Sequence, residues 1–121
     1  MKHLDDLLLI AKRKNLFDQT STWAEGSKTY LAEIKKELVE VEEELLLNRN
    51  NYLEDELGDV LWDYLNILLT LEEERGITVE SVLKRACRKY EERISGIESG
   101  HSWNSVKEKQ KTTLKKEFDQ E

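Results

Sequence analysis

From Leu31 to Leu71 the apolar residues return at alternating steps of three and four. Leu31, Ile34, Leu38, Val41 and Leu45 form one series; Leu53, Leu57, Val60, Leu61, Tyr64, Leu68 and Leu71 form the next. At about 100° per residue each series lies on one face of a helix, a pattern that a strand alternating in twos cannot reproduce. Between them Asn48 to Asn51 reads as a turn, and so short a connection makes the two helices antiparallel neighbours. Proline is absent and glycine scarce, so nothing interrupts long helices. The expected fold class is all-α: an antiparallel helical bundle of four to five helices per chain.

The remaining boundaries follow from local signals. Leu4, Leu7, Leu8 and Ala11 predict a first helix to about Lys14, followed by a polar connection over Gln19 to Gly26 that contains Trp23. A second helix runs from near Ser27 to about Leu47. Asn51, with Glu54 three residues on, has the form of a reciprocal N-cap for a third helix, which stops at Gly76 in the manner of a left-handed C-cap. Thr78 caps a fourth helix to about Ile94. Ser95 to Ser102 breaks the pattern, and Trp103 to about Phe118 is a weakly apolar tail helix. The whole, 1–121, is read as a single domain, with an N-terminal helix in 1–18, a helical core in 19–95 and a tail helix in 96–121. The third helix also carries Trp62, Leu65 and Leu69 off its main stripe. Being apolar nearly all round, it predicts a two-fold homodimer that forms a larger bundle, with a further tetramer left open.

Charge restricts the function. The net charge of −7 weighs against nucleic-acid binding through phosphates. One cysteine, Cys87, excludes an internal disulfide framework, and with no leader pattern the expected location is cytoplasmic. No apolar run is long enough to cross a membrane. Charge is also unevenly placed: residues 33–63 carry 11 acids against 3 bases, and residues 84–116 carry 10 bases against 4 acids.

On the second helix Glu33, Glu37, Glu40 and Glu44 form a stripe beside the apolar one, and on the third Glu56, Asp59 and Asp63 do the same. Antiparallel packing brings the two acidic lines together. Converging carboxylates need a cation or a shared proton, and pairs on facing helices are how bundles build carboxylate metal sites. Mg²⁺ suits such oxygen ligands with phosphate substrates. Gly58, interior to the helix, implies close approach of a backbone or a ligand. A solvated acidic surface is the competing reading.

These residues resemble a known family. Glu37-x-x-Glu40 followed by Glu56-Leu57-Gly58-Asp59 is similar to the E-E-x-x-E and E-x-x-D signature of the MazG-like nucleotide pyrophosphohydrolases, within the all-α NTP pyrophosphatase superfamily. Lys89 to Arg93, "KYEER", resembles the K-x-x-R-R element, and "WNSVKEKQK", Trp103 to Lys111, resembles a stretch near the end of the family's domain. Trp23 matches a tryptophan ahead of the acidic helix. Lys36 stands where the family has its first Glu, and "STWAEGS" replaces the usual start around that tryptophan.

The resemblance implies one MazG-like domain that dimerises and hydrolyses a (deoxy)nucleoside triphosphate to the monophosphate and pyrophosphate, a house-cleaning activity on nucleotide pools. It implies Mg²⁺, with Mn²⁺ as a substitute. Glu37, Glu40, Glu56 and Asp59 would be the metal-binding and catalytic acids, and Lys89, Arg93 and Trp23 would bind substrate. The alternative is a non-catalytic helical dimer acting as a binding or regulatory module.

Overall fold

The computed structural model describes residues 1–18 and 26–120. Among them it is all-helical, with α1 (Lys2–Asp18), α2 (Ser27–Leu45), α3 (Asn50–Arg75), α4 (Val79–Glu98) and α5 (Trp103–Asp119). The expected connection around Trp23 lies outside the described residues, apart from Gly26. The chain divides into two compact units, Met1–Val79 and Glu80–Glu121.

In the first unit α3 is central, packing against both α1 and α2. Its second half is the core: Leu65, Ile67, Leu68 and Leu69 are buried, as are Ala11 of α1 and Tyr30 of α2. The Tyr30 hydroxyl donates to the Asp18 carboxylate, which also pairs with Lys14 and so ties α1 to α2. Gly76 closes α3 in the left-handed conformation, φ 71°, as its position in the sequence predicts. Its N–H reaches the Glu72 carbonyl, and the Glu72 carboxylate accepts the Val79 N–H at 2.8 Å.

The turn before α3 differs from the expected one. Asn48 takes a positive φ of 54° directly after α2, so the chain reverses early and α3 starts at Asn50. The residue before the helix is Arg49, with no side-chain cap. Arg49 holds the corner another way: its guanidinium grips the buried Glu44 carboxylate through two nitrogens and stacks 4.0 Å from the Tyr52 ring centroid.

A larger difference concerns which faces meet. Leu31, Leu38 and Leu45 of α2, and Leu57, Leu61 and Tyr64 of α3, are all between 38 % and 64 % exposed. On α2 the buried residues are Tyr30 and Glu44, and Ile34 and Val41 of the apolar stripe are part-buried together with Glu37. The helices are amphipathic as expected, but the acidic border forms the α2–α3 seam and much of the apolar stripe faces outward.

In the second unit α4 continues to Glu98 through Ser95 and Gly96, beyond the expected break. Gly96 permits this by lying against α5: a β-carbon there would sit 2.6 Å from the Val106 side chain. The turn falls at Gly100, φ 91°, and Ser102 then caps α5 by accepting the Ser105 N–H at 3.1 Å.

Candidate acidic site on the α2–α3 seam

Because α2 and α3 run antiparallel, residues early in one meet residues late in the other. Glu37, Glu56 and Asp59 each place a carboxylate oxygen within 4.8 Å of the others. Glu40 lies close enough for its carboxylate to act on all three. All four sequence-predicted acids therefore converge.

The electrostatics are those of a site short of positive charge. Burial, then the hydrogen bond and negative charge of Glu40, push the Glu37 carboxyl up to about 8. Glu56 is raised first by the neighbouring Glu40 carboxyl and then by burial; Asp59 is raised by burial and by Asp55 and Glu40. One oxygen of Glu37 and one of Glu56, Oε2 in each, are shut off from solvent without any hydrogen-bond partner. Buried carboxylate oxygens are normally satisfied, so these two atoms leave an unmet demand for a donor or a cation.

One turn further along α3, Asp63 is 6 % exposed and is pushed up to about 6 by burial and by the charges of Glu33 and Asp59. Its Oδ2 also lacks a partner, as does Oδ1 of Asn66. The spacing places Asp63 in the acidic line without revealing its depth, and gives Asn66 no role. The usable signal was the three-four spacing of Glu56, Asp59, Asp63 and Asn66, which carries the same face onward.

Several expectations need correction or bounds. Glu44, the last residue of the acidic stripe on α2, is occupied by Arg49. Gly58 has nothing within 4 Å of a β-carbon built on it, so no close approach within the described chain explains it. Lys36 points away from the cluster, 70 % exposed and beside Glu33 at 3.3 Å. Trp23 lies outside the described residues.

Lys89 and Arg93 belong to the second unit. Arg93 is buried there: its Nε donates to Gln110 at 2.8 Å, and its guanidinium lies 4.9 Å from the Trp103 ring centroid and 5.3 Å from that of Tyr90. Gln110 in turn donates to the Lys89 carbonyl at 2.8 Å. Gln110 also donates to the Glu92 carboxylate at 3.1 Å, and this network joins α4 to α5.

A family model described as the MazG nucleotide pyrophosphohydrolase domain matches residues 25–96, more than half of the chain and all of the acidic seam. No curated protein and no solved structure matches.

Proposed function

Because the chain belongs to the MazG nucleotide pyrophosphohydrolase family, we propose that it cleaves a nucleoside triphosphate to the monophosphate and pyrophosphate at the four-acid cluster. The observation carrying this reading is the pair of buried, unpartnered oxygens, Glu37 Oε2 and Glu56 Oε2, inside that cluster. A hard, all-oxygen donor set on two facing helices fits Mg²⁺, with Mn²⁺ as a substitute. Glu37, Glu40, Glu56 and Asp59 would hold the ion. When bound, a divalent cation supplies charge and Lewis acidity to the phosphoryl group under attack.

The protein's own residues set the geometry. Two helices fix the carboxylates before substrate arrives, so little reorganisation remains for the reaction. Burial and the neighbouring Glu40 carboxyl raise Glu37 to about 8, which favours its protonated form at neutral pH in the absence of a cation. A divalent cation held there would compete with that proton. Lys89, Arg93 and Trp23 are assigned to substrate binding on the family resemblance. Both ribo- and deoxynucleotides are candidate substrates, and the proposed role is clearing nucleotide pools in the cytoplasm.

The same reading includes a homodimer. Leu57, Leu61 and Tyr64 recur at four and three on α3 and stay exposed, which is the surface a second copy would cover. That stripe also favours the second reading, a non-catalytic helical dimer. Incubation of the protein with a panel of NTPs and Mg²⁺ separates the two. Monophosphate plus pyrophosphate, abolished by chelation, supports the enzyme. No cleavage of any nucleotide, with a dimer in solution, supports the module.

Among the described residues no helix is long and apolar enough to cross a membrane.

A further inference from the structure

The polar line on α3 does not end at the carboxylate cluster. Glu56, Asp59, Asp63, Asn66 and Thr70 follow one another at steps of three and four, on one helix face. Past Asp59 the line turns inward, to Asp63 at 6 % and Asn66 at 1 % exposure. Asp63 Oδ2 and Asn66 Oδ1 are both sealed from solvent without a partner. The Asn66 amide nitrogen donates to the Trp62 carbonyl at 2.9 Å, so the atom left over is the oxygen, an acceptor.

Two unmet acceptors on adjoining turns are unfavourable in a core, since each has lost its water. A leucine at position 66 would suit the neighbouring Leu65, Ile67 and Leu69 better. At 1.5 Å of rise per residue, Asp63 and Asn66 stand about 6 Å and about 10 Å along the axis from Asp59. A nucleotide reacting at the cluster would send its nucleoside away from the carboxylates over a comparable length. The nucleoside brings hydrogen-bond donors, either the amino group of a base or the hydroxyls of the sugar.

We propose that Asp63 and Asn66 form an acceptor-only subsite that reads hydrogen-bond donors on the nucleoside part of the substrate. The subsite rests on the pyrophosphohydrolase reading and extends it to substrate choice. Acceptors reward a donor and penalise a carbonyl at the same position, because the mismatch leaves both oxygens unpaired.

The test compares kcat/KM within matched pairs. CTP against UTP and ATP against ITP exchange an amino group for an oxygen, and each ribonucleotide against its deoxy and dideoxy forms removes sugar hydroxyls. Calorimetric Kd values for CMP, UMP and the corresponding deoxy monophosphates repeat the comparison without turnover. In the wild type the donor-bearing member is expected to lead by about tenfold or more in one series. That series identifies the source, base or sugar. Asn66→Leu is expected to collapse the ratio while leaving Tm equal or higher, and Asp63→Asn, which offers an N–H, to move it towards the carbonyl-bearing member.

Folded variants whose ratios match the wild type in every series overturn the subsite, and a fall in Tm for Asn66→Leu with unchanged ratios makes Asn66 a structural residue. Wild-type cleavage with those unchanged ratios leaves the pyrophosphohydrolase reading standing. A wild type that neither binds nor cleaves any of these nucleotides overturns both.

Discussion

Glu37 concentrates the electrostatics of the seam. Burial comes first among the causes, Glu40 second, and together they push its carboxyl from an ordinary 4.5 up to about 8. A proton held more tightly in the folded than in the unfolded chain stabilises the fold at low pH. That contribution is complete below about 4.5 and is lost as pH rises towards 8. Asp63 acts with the same sign between 3.8 and about 6. The cation-free protein should therefore lose thermal stability steadily from about pH 5 to about pH 8. Calorimetric scans should show Glu37→Gln removing the upper part of that slope; an unchanged slope would contradict the assignment. If Mg²⁺ binds in place of that proton, its stabilising effect should be larger at about pH 8 than at about pH 6. At the turn, Arg49→Ala leaves the buried Glu44 carboxylate without its partner, and denaturant unfolding should register a loss of stability. The four clustered acids were legible in the sequence because i, i+3 spacing defines a shared face. Asp63's depth and the part played by Asn66 were not, since a helical wheel gives angles and does not say which angle meets a neighbouring helix.

At the scale of elements, the end of α3 was legible because a glycine after a long periodic run can adopt the left-handed cap at no steric cost. Its start was shifted by Asn48, a residue that also tolerates positive φ and that turned the chain two residues early. The extent of α4 was missed for a tertiary reason: Gly96 is retained for contact with Val106 rather than for a break. Gly58 offers a direct test of the seam. Its β-carbon position is open within the chain, so Gly58→Ala should stabilise the isolated fold by about 1 kcal/mol through helix propensity. If substrate or a second copy approaches that backbone, the same substitution should lower turnover or weaken the dimer despite the higher Tm. A higher Tm with unaltered turnover and assembly would leave Gly58 without a role.

For the molecule as a whole, the all-helical class and the helix order could be read from periodicity and punctuation. Which face of each helix would be covered could not, because an amphipathic pattern is the same whether the apolar side meets its own chain or another. Leu57, Leu61 and Tyr64 make that distinction visible only in three dimensions. Sedimentation equilibrium should find a dimer, and Leu57→Lys with Leu61→Lys should shift it to monomer; a monomeric wild type would contradict the dimer. The account as a whole stands on the four carboxylates acting together on a triphosphate. Its most direct test is kcat/KM of Glu56→Gln against the wild type, at saturating Mg²⁺, with monophosphate and pyrophosphate both quantified and Tm recorded for each protein. A folded variant slowed by at least about a hundredfold, equivalent to about 2.7 kcal/mol in the barrier, is the result expected. Undiminished release of pyrophosphate by that variant would contradict it.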